Sequence, residues 1–149
     1  MVVEPLATAS LDAARALLAA AELPTDDLED PAITLLGVHA GAELVGVIGL
    51  QACGDGVGLL RSLAVAPAHQ GRGLAARLCD AVVDLAAAGA VRELYLLTTT
   101  AADYFARRGF TAIDRAAAPE PVRASAQFAS LCPASARVMR YRDGYSVSR

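Results

Sequence analysis

The chain contains no lysine and no tryptophan, and all 13 of its basic residues are arginine. A Walker A phosphate loop and a lysine Schiff base are therefore both excluded, because each needs a lysine amine at a fixed place. Cysteine is scarce as well: Cys53, Cys79 and Cys132 are an odd number, widely and irregularly spaced, with no C-x-x-C. Neither a disulfide framework nor a metal site is indicated, and the three read as reduced thiols. Aromatic residues make up 5% of the chain and the net charge is −3, with no run of arginines. Nothing here offers phosphate neutralisation together with base stacking, so nucleic acid is not the expected partner. No stretch reaches the roughly 18 uncharged apolar residues of a membrane helix, since Asp80 and Asp84 interrupt the best candidate. The start, MVVEPLATAS, has an acid and a proline where a signal peptide has a basic region and an apolar run. A cytoplasmic location without a membrane partner is the expectation.

What the chain does have is 55% hydrophobic residues over 149 positions, enough for one domain with a dense core. We expect a single domain over 1–149, with the tail after about 142 frayed. Its most informative stretch runs from Leu59 to Gly89. Leu59–Val65 is mostly apolar and bounded by Gly58 and Pro67, as a buried strand would be. Leu78, Val82 and Leu85 then recur at helical spacing, which predicts a helix from near Gly71 to a cap at Gly89. A helix start presents up to four unpaired N–H groups and about half a positive charge, and glycine there admits an anion close to the backbone. The stretch therefore reads as a cradle for a pyrophosphate.

Gln70, Gly73 and Ala75, a few residues beyond a strand ending LAV, resemble the Gln-x-x-Gly-x-Ala acyl-CoA signature of the GNAT N-acetyltransferases. The resemblance implies acetyl-CoA as cosubstrate. It implies that Gln70, Gly71, Arg72, Gly73, Leu74 and Ala75 hold the pyrophosphate, and that the splayed strand end Leu63, Ala64 and Val65 pairs with the pantetheine arm. A competing pattern overlaps it, because Gly71, Gly73 and Ala76 also spell the G-x-G-x-x-A of an NAD-binding oxidoreductase. That fingerprint needs its first glycine at the strand end, whereas Pro67 to Gln70 intervene here. Glycines serving only close packing are a third explanation, and Arg72 is either a phosphate ligand or a solvated charge.

Along the rest of the chain, Ser10–Ala21 reads as an amphipathic helix with Ser10 as N-cap and Pro24 as stop. The acidic LPTDDLEDP is a solvated loop or a lid over a substrate. Ile33–His39 and Leu44–Leu50 form a hairpin around Ala40–Glu43, and a turn at Cys53–Gly56 leads to the Leu59 strand, so three strands in succession are antiparallel. Val91–Leu97 reads as a strand, Thr100–Arg108 as a short helix and Phe110–Asp114 as a further strand. The order α-βββ-α-β-α-β predicts an α/β (α+β) domain: one mixed sheet with helices on both faces and antiparallel N-terminal strands. That is also the GNAT order. LLRSLAV, LYLLTTTAADYFARRGF, AAPEPVRASAQF, SLCPASA and LPTDDL together resemble the arsenic-resistance subgroup of that family, which leaves the acceptor amine unspecified.

Acetyl transfer to a small-molecule amine needs a donor for the developing oxyanion, and a splay after Leu63 would aim the Val65 N–H there. No general base is singled out among Glu4, Glu22, Glu43 and Asp103. Relatives commonly place a tyrosine four residues before the glycine of the Gly-Phe pair to protonate the thiolate, but Phe105 stands there. Tyr104 is about 100° around the helix and is expected to point elsewhere. Thr98, where relatives have asparagine, is the substitute hydroxyl, and Phe105 lines the cofactor site. For the acceptor, Arg61 and Arg123 are the leading candidates to clamp a carboxylate or oxyanion, with Arg115 behind them and Cys132 as a thiol lining the pocket. The long segment Ala118–Ala136 is expected to close one side of that pocket. A module that binds acyl-CoA without turnover is the alternative, and self-association into a homodimer stays open.

Overall fold

Ile33–Ala40 (β2) and Glu43–Gly54 (β3) fold back on each other around a tight turn, in register from Ile33↔Gln51 to Ala40↔Glu43 with a bulge between Val38 and His39. The next turn is shorter than the sequence predicts. β3 runs on to Gly54, and only Asp55 and Gly56 remain as the connection to Val57–Val65 (β4), both at positive φ (59° and 76°). Two consecutive left-handed residues are what a two-residue hairpin loop needs to match the strand twist.

The structure, a computed structural model, describes residues 1–131 and 135–142. Its further elements are a two-residue strand Glu4–Pro5 (β1), helix Leu11–Ala20 (α1), helix Leu74–Ala88 (α2), strand Glu93–Thr98 (β5), helix Ala102–Arg107 (α3), strand Phe110–Ile113 (β6), a short helix Glu120–Arg123 (α4) and strand Arg137–Tyr141 (β7). The described strands form one seven-stranded sheet in the order β1-β2-β3-β4-β5-β7-β6. All its pairings are antiparallel except β4 with β5, which is parallel over three pairs, from Val57↔Glu93 to Leu59↔Tyr95.

The mixed sheet with helices on both faces is as expected. α2 and α3 cover one face, where Leu74, Leu78, Val82 and Phe105 pack with Ile48, Leu60 and Leu94. α1 covers the other through Ala14 and Leu18 against Val47 and Ala64, and α4 does so through Val122 against Leu59 and Val138. Full burial of a leucine or valine stabilises by about 1.5–3 kcal/mol, so these contacts suffice to hold short helices of modest intrinsic stability.

Several boundaries differ from expectation. α2 begins at Leu74 rather than near Gly71, because Gly71 and Gly73 sit at φ 79° and 80°, outside the helical region. Ser10 ends a 3-10 turn and its side chain caps nothing. α1 stops before Pro24 is reached: Glu22, at φ 61°, donates to Ala19 O and Leu23 to Leu18 O, which closes the helix with paired carbonyls. β1, α4 and β7 were not anticipated. β7 inserts between β5 and β6, so those two strands, neighbours in the predicted order, never touch as a ladder.

Candidate active site

β4 carries the site because its ladder breaks. Between the pairs Gly49↔Arg61 and Val47↔Ala64 it has an extra residue, and Ser62 takes φ 60°. The bulge reverses the facing of the strand: Leu60 and Leu63, three apart, both pack on the α2 side. Pairing of β4 with β5 has already ended at Leu59↔Tyr95, earlier than the predicted splay after Leu63. Beyond it the strands diverge, and a cavity of about 770 Å³ opens between them. Its walls are Leu60–Leu63 of β4, Leu96–Ala101 at the end of β5, Tyr104 and Phe105 of α3, and Ala21–Pro24 with Asp26 from the loop after α1.

The backbone of β4 is still paired on its other edge. Ala66 N donates to Val45 O at 2.8 Å, so by strand alternation the N–H of Val65 faces the open side. The Val65 carbonyl on that side accepts from Gln70 Nε2 at 3.0 Å. Gln70 thus ties the turn before α2 to the strand end through its side chain. Ala64 is turned under α1 and buried, and of the three strand-end residues Leu63 lines the cavity.

Past Gln70 the chain forms a cradle. Among the described residues, the N–H groups from Gly71 to Ala76 donate to no backbone acceptor, and the first bond of α2 is Arg77 N to Gly73 O at 3.1 Å. A Cβ built on Gly71 or Gly73 would meet nothing within 4 Å, so both glycines border open space. Unpaired donors at the N-terminus of a 15-residue helix, with no side chain in the way, fit a diphosphate. Arg72 is exposed beside them, Ala75 lies in the first turn, and Leu74 offers only its N–H because its side chain is in the core.

The polar groups around the cavity are unequal. Thr98 Oγ1 accepts the Ala101 N–H at 3.0 Å, which fixes the hydroxyl at the start of α3 while leaving its proton free to be donated. Tyr104 reaches the cavity along with Phe105, contrary to the expected divergence by 100°, since a half-exposed ring and a buried one flank the same opening. Its hydroxyl, however, is buried against Cys79 of α2 without a hydrogen bond of normal geometry. Burial raises the Tyr104 pKa and pushes the Cys79 thiol up to about 11, so both hold their protons at neutral pH. Of the four carboxylates left open, only Glu22 lines the cavity, joined by Asp26.

The acceptor candidates are mostly redistributed. Arg61 lines the cavity, but its guanidinium is fully buried and already bound to Asp27 at 2.5 and 2.7 Å, so it has no free charge for an acceptor carboxylate. Arg123 lies outside the cavity, exposed and paired with Glu120 at 3.2 Å within α4, where a four-residue helix turns it to solvent. Arg115 donates to Ala136 O at 2.7 Å and lies 4.4 Å over the Phe128 ring, bracing the C-terminal segment. From that segment Gln127 and Ala136 reach the cavity. Cys132 lies outside the described residues. Asp26 and Gln127 fall in the acidic loop and the long segment that the sequence sets against the substrate, but neither was named individually; Leu96, Leu97, Thr99 and Thr100, beside the expected Thr98, were not assigned to the site. The sequence signals for them are the acidic loop 23–31, the long segment 118–136 and the hydroxyl run Thr98-Thr99-Thr100 that follows an apolar strand.

Residues 6–110 match the family model described as Acetyltransferase (GNAT) family. The chain belongs to this family, and the mostly antiparallel sheet sets aside the doubly wound dinucleotide fold. Curated protein sequences give no match. Among solved structures it is similar to Rv2747 from Mycobacterium tuberculosis, solved with CoA, at 21% identity and TM-score 0.80 over 95% of this chain and 99% of that one. It also resembles the N-acetylglutamate synthase of Neisseria gonorrhoeae, complexed with coenzyme A and L-arginine (21%, TM-score 0.77, 96% of this chain and 33% of that one). A third is Tetrahymena GCN5 (17%, TM-score 0.76, 97% and 98%). At these identities the likeness is one of fold. Among the described residues no helix is long and apolar enough to cross a membrane.

Proposed function

We propose that the chain transfers an acetyl group from acetyl-CoA to the amine of a small molecule. The observation that carries this reading is the cradle of unpaired N–H groups at Gly71–Ala76, a few residues beyond the end of β4, the strand whose parting from β5 opens a cavity of about 770 Å³. Bound acetyl-CoA would supply the acyl thioester. The residues that would hold it are Gly71–Ala75 at the diphosphate, Leu63–Val65 along the arm, and Phe105 beside it.

The chain's own groups then have separable tasks. The Val65 N–H faces the gap where a carbonyl oxygen gains negative charge, and losing one such donor typically costs about 3 kcal/mol of barrier. The Thr98 hydroxyl is the fixed proton donor at the wall. Glu22 and Asp26, at the mouth, are carboxylates able to take a proton from an incoming ammonium through water, leaving the neutral amine that attacks. Among the described residues the one arginine in the lining, Arg61, is neutralised by Asp27, which favours an amine acceptor that carries no carboxylate. The likeness of LLRSLAV, LYLLTTTAADYFARRGF and SLCPASA to the arsenic-resistance subgroup supports a role in that response, in a cytoplasmic setting.

The test is calorimetric titration with acetyl-CoA followed by a screen of amines for release of CoA thiol. Micromolar binding with turnover of at least one carboxylate-free amine is expected. Binding without any thiol release would make the chain a binding module, and no binding would remove the reading.

A further inference from the structure

One guanidinium holds together three parts of the chain that are distant in sequence, at the point where the site is built. Arg61 Nη1 donates to Asp27 Oδ2 at 2.7 Å and to Gln51 Oε1 at 2.9 Å; Nη2 donates to Asp27 Oδ1 at 2.5 Å. Nε donates to Ser62 Oγ at 3.1 Å. Four of its five N–H groups are thus committed, to the loop after α1, to β3 and to the left-handed residue of the β4 bulge. The Arg61 side chain is 0% exposed and that of Asp27 16%. Room for the stem comes from Gly49 on β3, where an added Cβ would lie 3.3 Å from Arg61 Cγ.

A buried ion pair is a poor way to gain stability alone, since desolvation offsets most of the attraction and well-packed apolar residues often do as well. It does fix geometry, because a forked guanidinium and a carboxylate accept few arrangements. The geometry fixed here is that of two cavity walls. Ser62 belongs to one, and Ala21–Pro24 with Asp26, directly before Asp27, belongs to the other. The cradle at Gly71–Ala76 is not touched by any of these bonds.

We propose that Arg61 and Asp27 are positioning residues: a clamp that holds the loop after α1 against the β4 bulge and so sets the acceptor side of the cavity independently of the cofactor side. The kinetic consequence rests on the acetyl-transfer reading above, whereas the structural one does not. Arg61 in this role does not clamp an acceptor carboxylate, because its charge is spent within the chain.

The decisive variant is Arg61→Met with Asp27→Leu, which removes both charges together and leaves neither partner buried alone. Its melting temperature should stay within about 3 °C of wild type or rise, and its acetyl-CoA Kd should stay within twofold. Hydrogen exchange of the amides of residues 22–30 should accelerate at least tenfold. With whichever of ethanolamine, putrescine or tyramine the wild type acetylates fastest, KM for the amine should rise at least tenfold while KM for acetyl-CoA holds. Should that double variant fail to fold, Asp27→Asn, which keeps the shape and one acceptor oxygen, should show the same loop exchange change at smaller size. Unchanged loop exchange, or loss of acetyl-CoA affinity in step with the loop, overturns the clamp. Binding of acetyl-CoA with none of the amines acetylated counts against the acetyl-transfer reading, and the exchange measurement still decides the clamp.

Discussion

Replacing Gly73 by aspartate separates the cradle from the rest of the fold, provided that Gly73→Ala is measured beside it. Gly73 sits at φ 80° as the residue before α2, so any side chain there meets the left-handed penalty, roughly 1–2 kcal/mol for alanine and less for aspartate. There is no further steric cost within the protein, because a Cβ at this position meets nothing within 4 Å. For a domain of about this size 1 kcal/mol shifts the melting temperature by roughly 2–4 °C. Both variants should therefore stay folded and melt within about 8 °C of wild type. Ligand affinity should divide them. Alanine intrudes one methyl on the cradle and weakens acetyl-CoA by about tenfold at most. Aspartate adds a negative charge facing another. At roughly 5 Å and an effective dielectric constant near 20 the repulsion is about 3 kcal/mol per charge before salt screening, which corresponds to a loss of about a hundredfold in Kd. Isothermal titration with acetyl-CoA at two salt concentrations reads this directly, and added salt should narrow the gap between the variants. Equal affinity in Gly73→Asp and Gly73→Ala would refute an anion at this helix end.

The remaining expectations concern side chains whose role the structure changed. Arg123→Ala should leave kcat, both KM values and the melting temperature nearly unchanged, as an exposed i,i+3 pair contributes little; a tenfold rise in acceptor KM would return it to the site. Tyr104→Phe removes a buried hydroxyl without a good partner, so stability should hold or rise by about 1 kcal/mol, and kcat should fall less than tenfold. A hundredfold fall at unchanged melting temperature would make Tyr104 the acid. Cys79 holds its proton more tightly folded than unfolded, with the folded value near 11, so its contribution to stability is intact below pH 9 and drains away between about pH 9 and 11. Denaturation midpoints across that window should fall less steeply in Cys79→Ala than in wild type, and parallel curves would contradict the assigned burial.

The parts of the fold that were legible in the sequence are those with local punctuation. The hairpins announce themselves through Ala40–Glu43 and Cys53–Gly56, and the cradle through Gly71 and Gly73. β7 does not, because RVMRY has two adjacent buried residues, Val138 and Met139, between arginines, a pattern that fits neither a half-exposed strand nor a helix. The bulge at Ser62 was hidden for a related reason: a serine takes the left-handed conformation where glycine would have signalled it, and the bonds that hold it there come from side chains. Arg61 lines the cavity, but its bond to Asp27 was not legible, since Asp27 lies 34 residues away in a loop with four acids and nothing local selects one of them. For β7 and for Arg61 the missing information is a long-range contact, whereas at Ser62 it is a bond between neighbouring side chains.

The insertion of β7 between β5 and β6 bears on the order in which the chain can acquire its shape. β5 has only three ladder pairs with β4, and β6 has none with any earlier strand. Both gain their main partner only when Arg137–Tyr141 arrives, which for the pair Tyr95↔Arg140 is 45 residues further along the chain. Strands of such sequence separation close late, since a long loop must be ordered before the contacts reward it. The left half of the sheet, β2 to β4 with α2, can form from neighbours alone, whereas the wall built by Leu96–Thr98 waits for residues 137–141. A chain interrupted before residue 137 should thus hold a native-like half-sheet with two unpaired strand edges, a state prone to association rather than to a weakened form of activity.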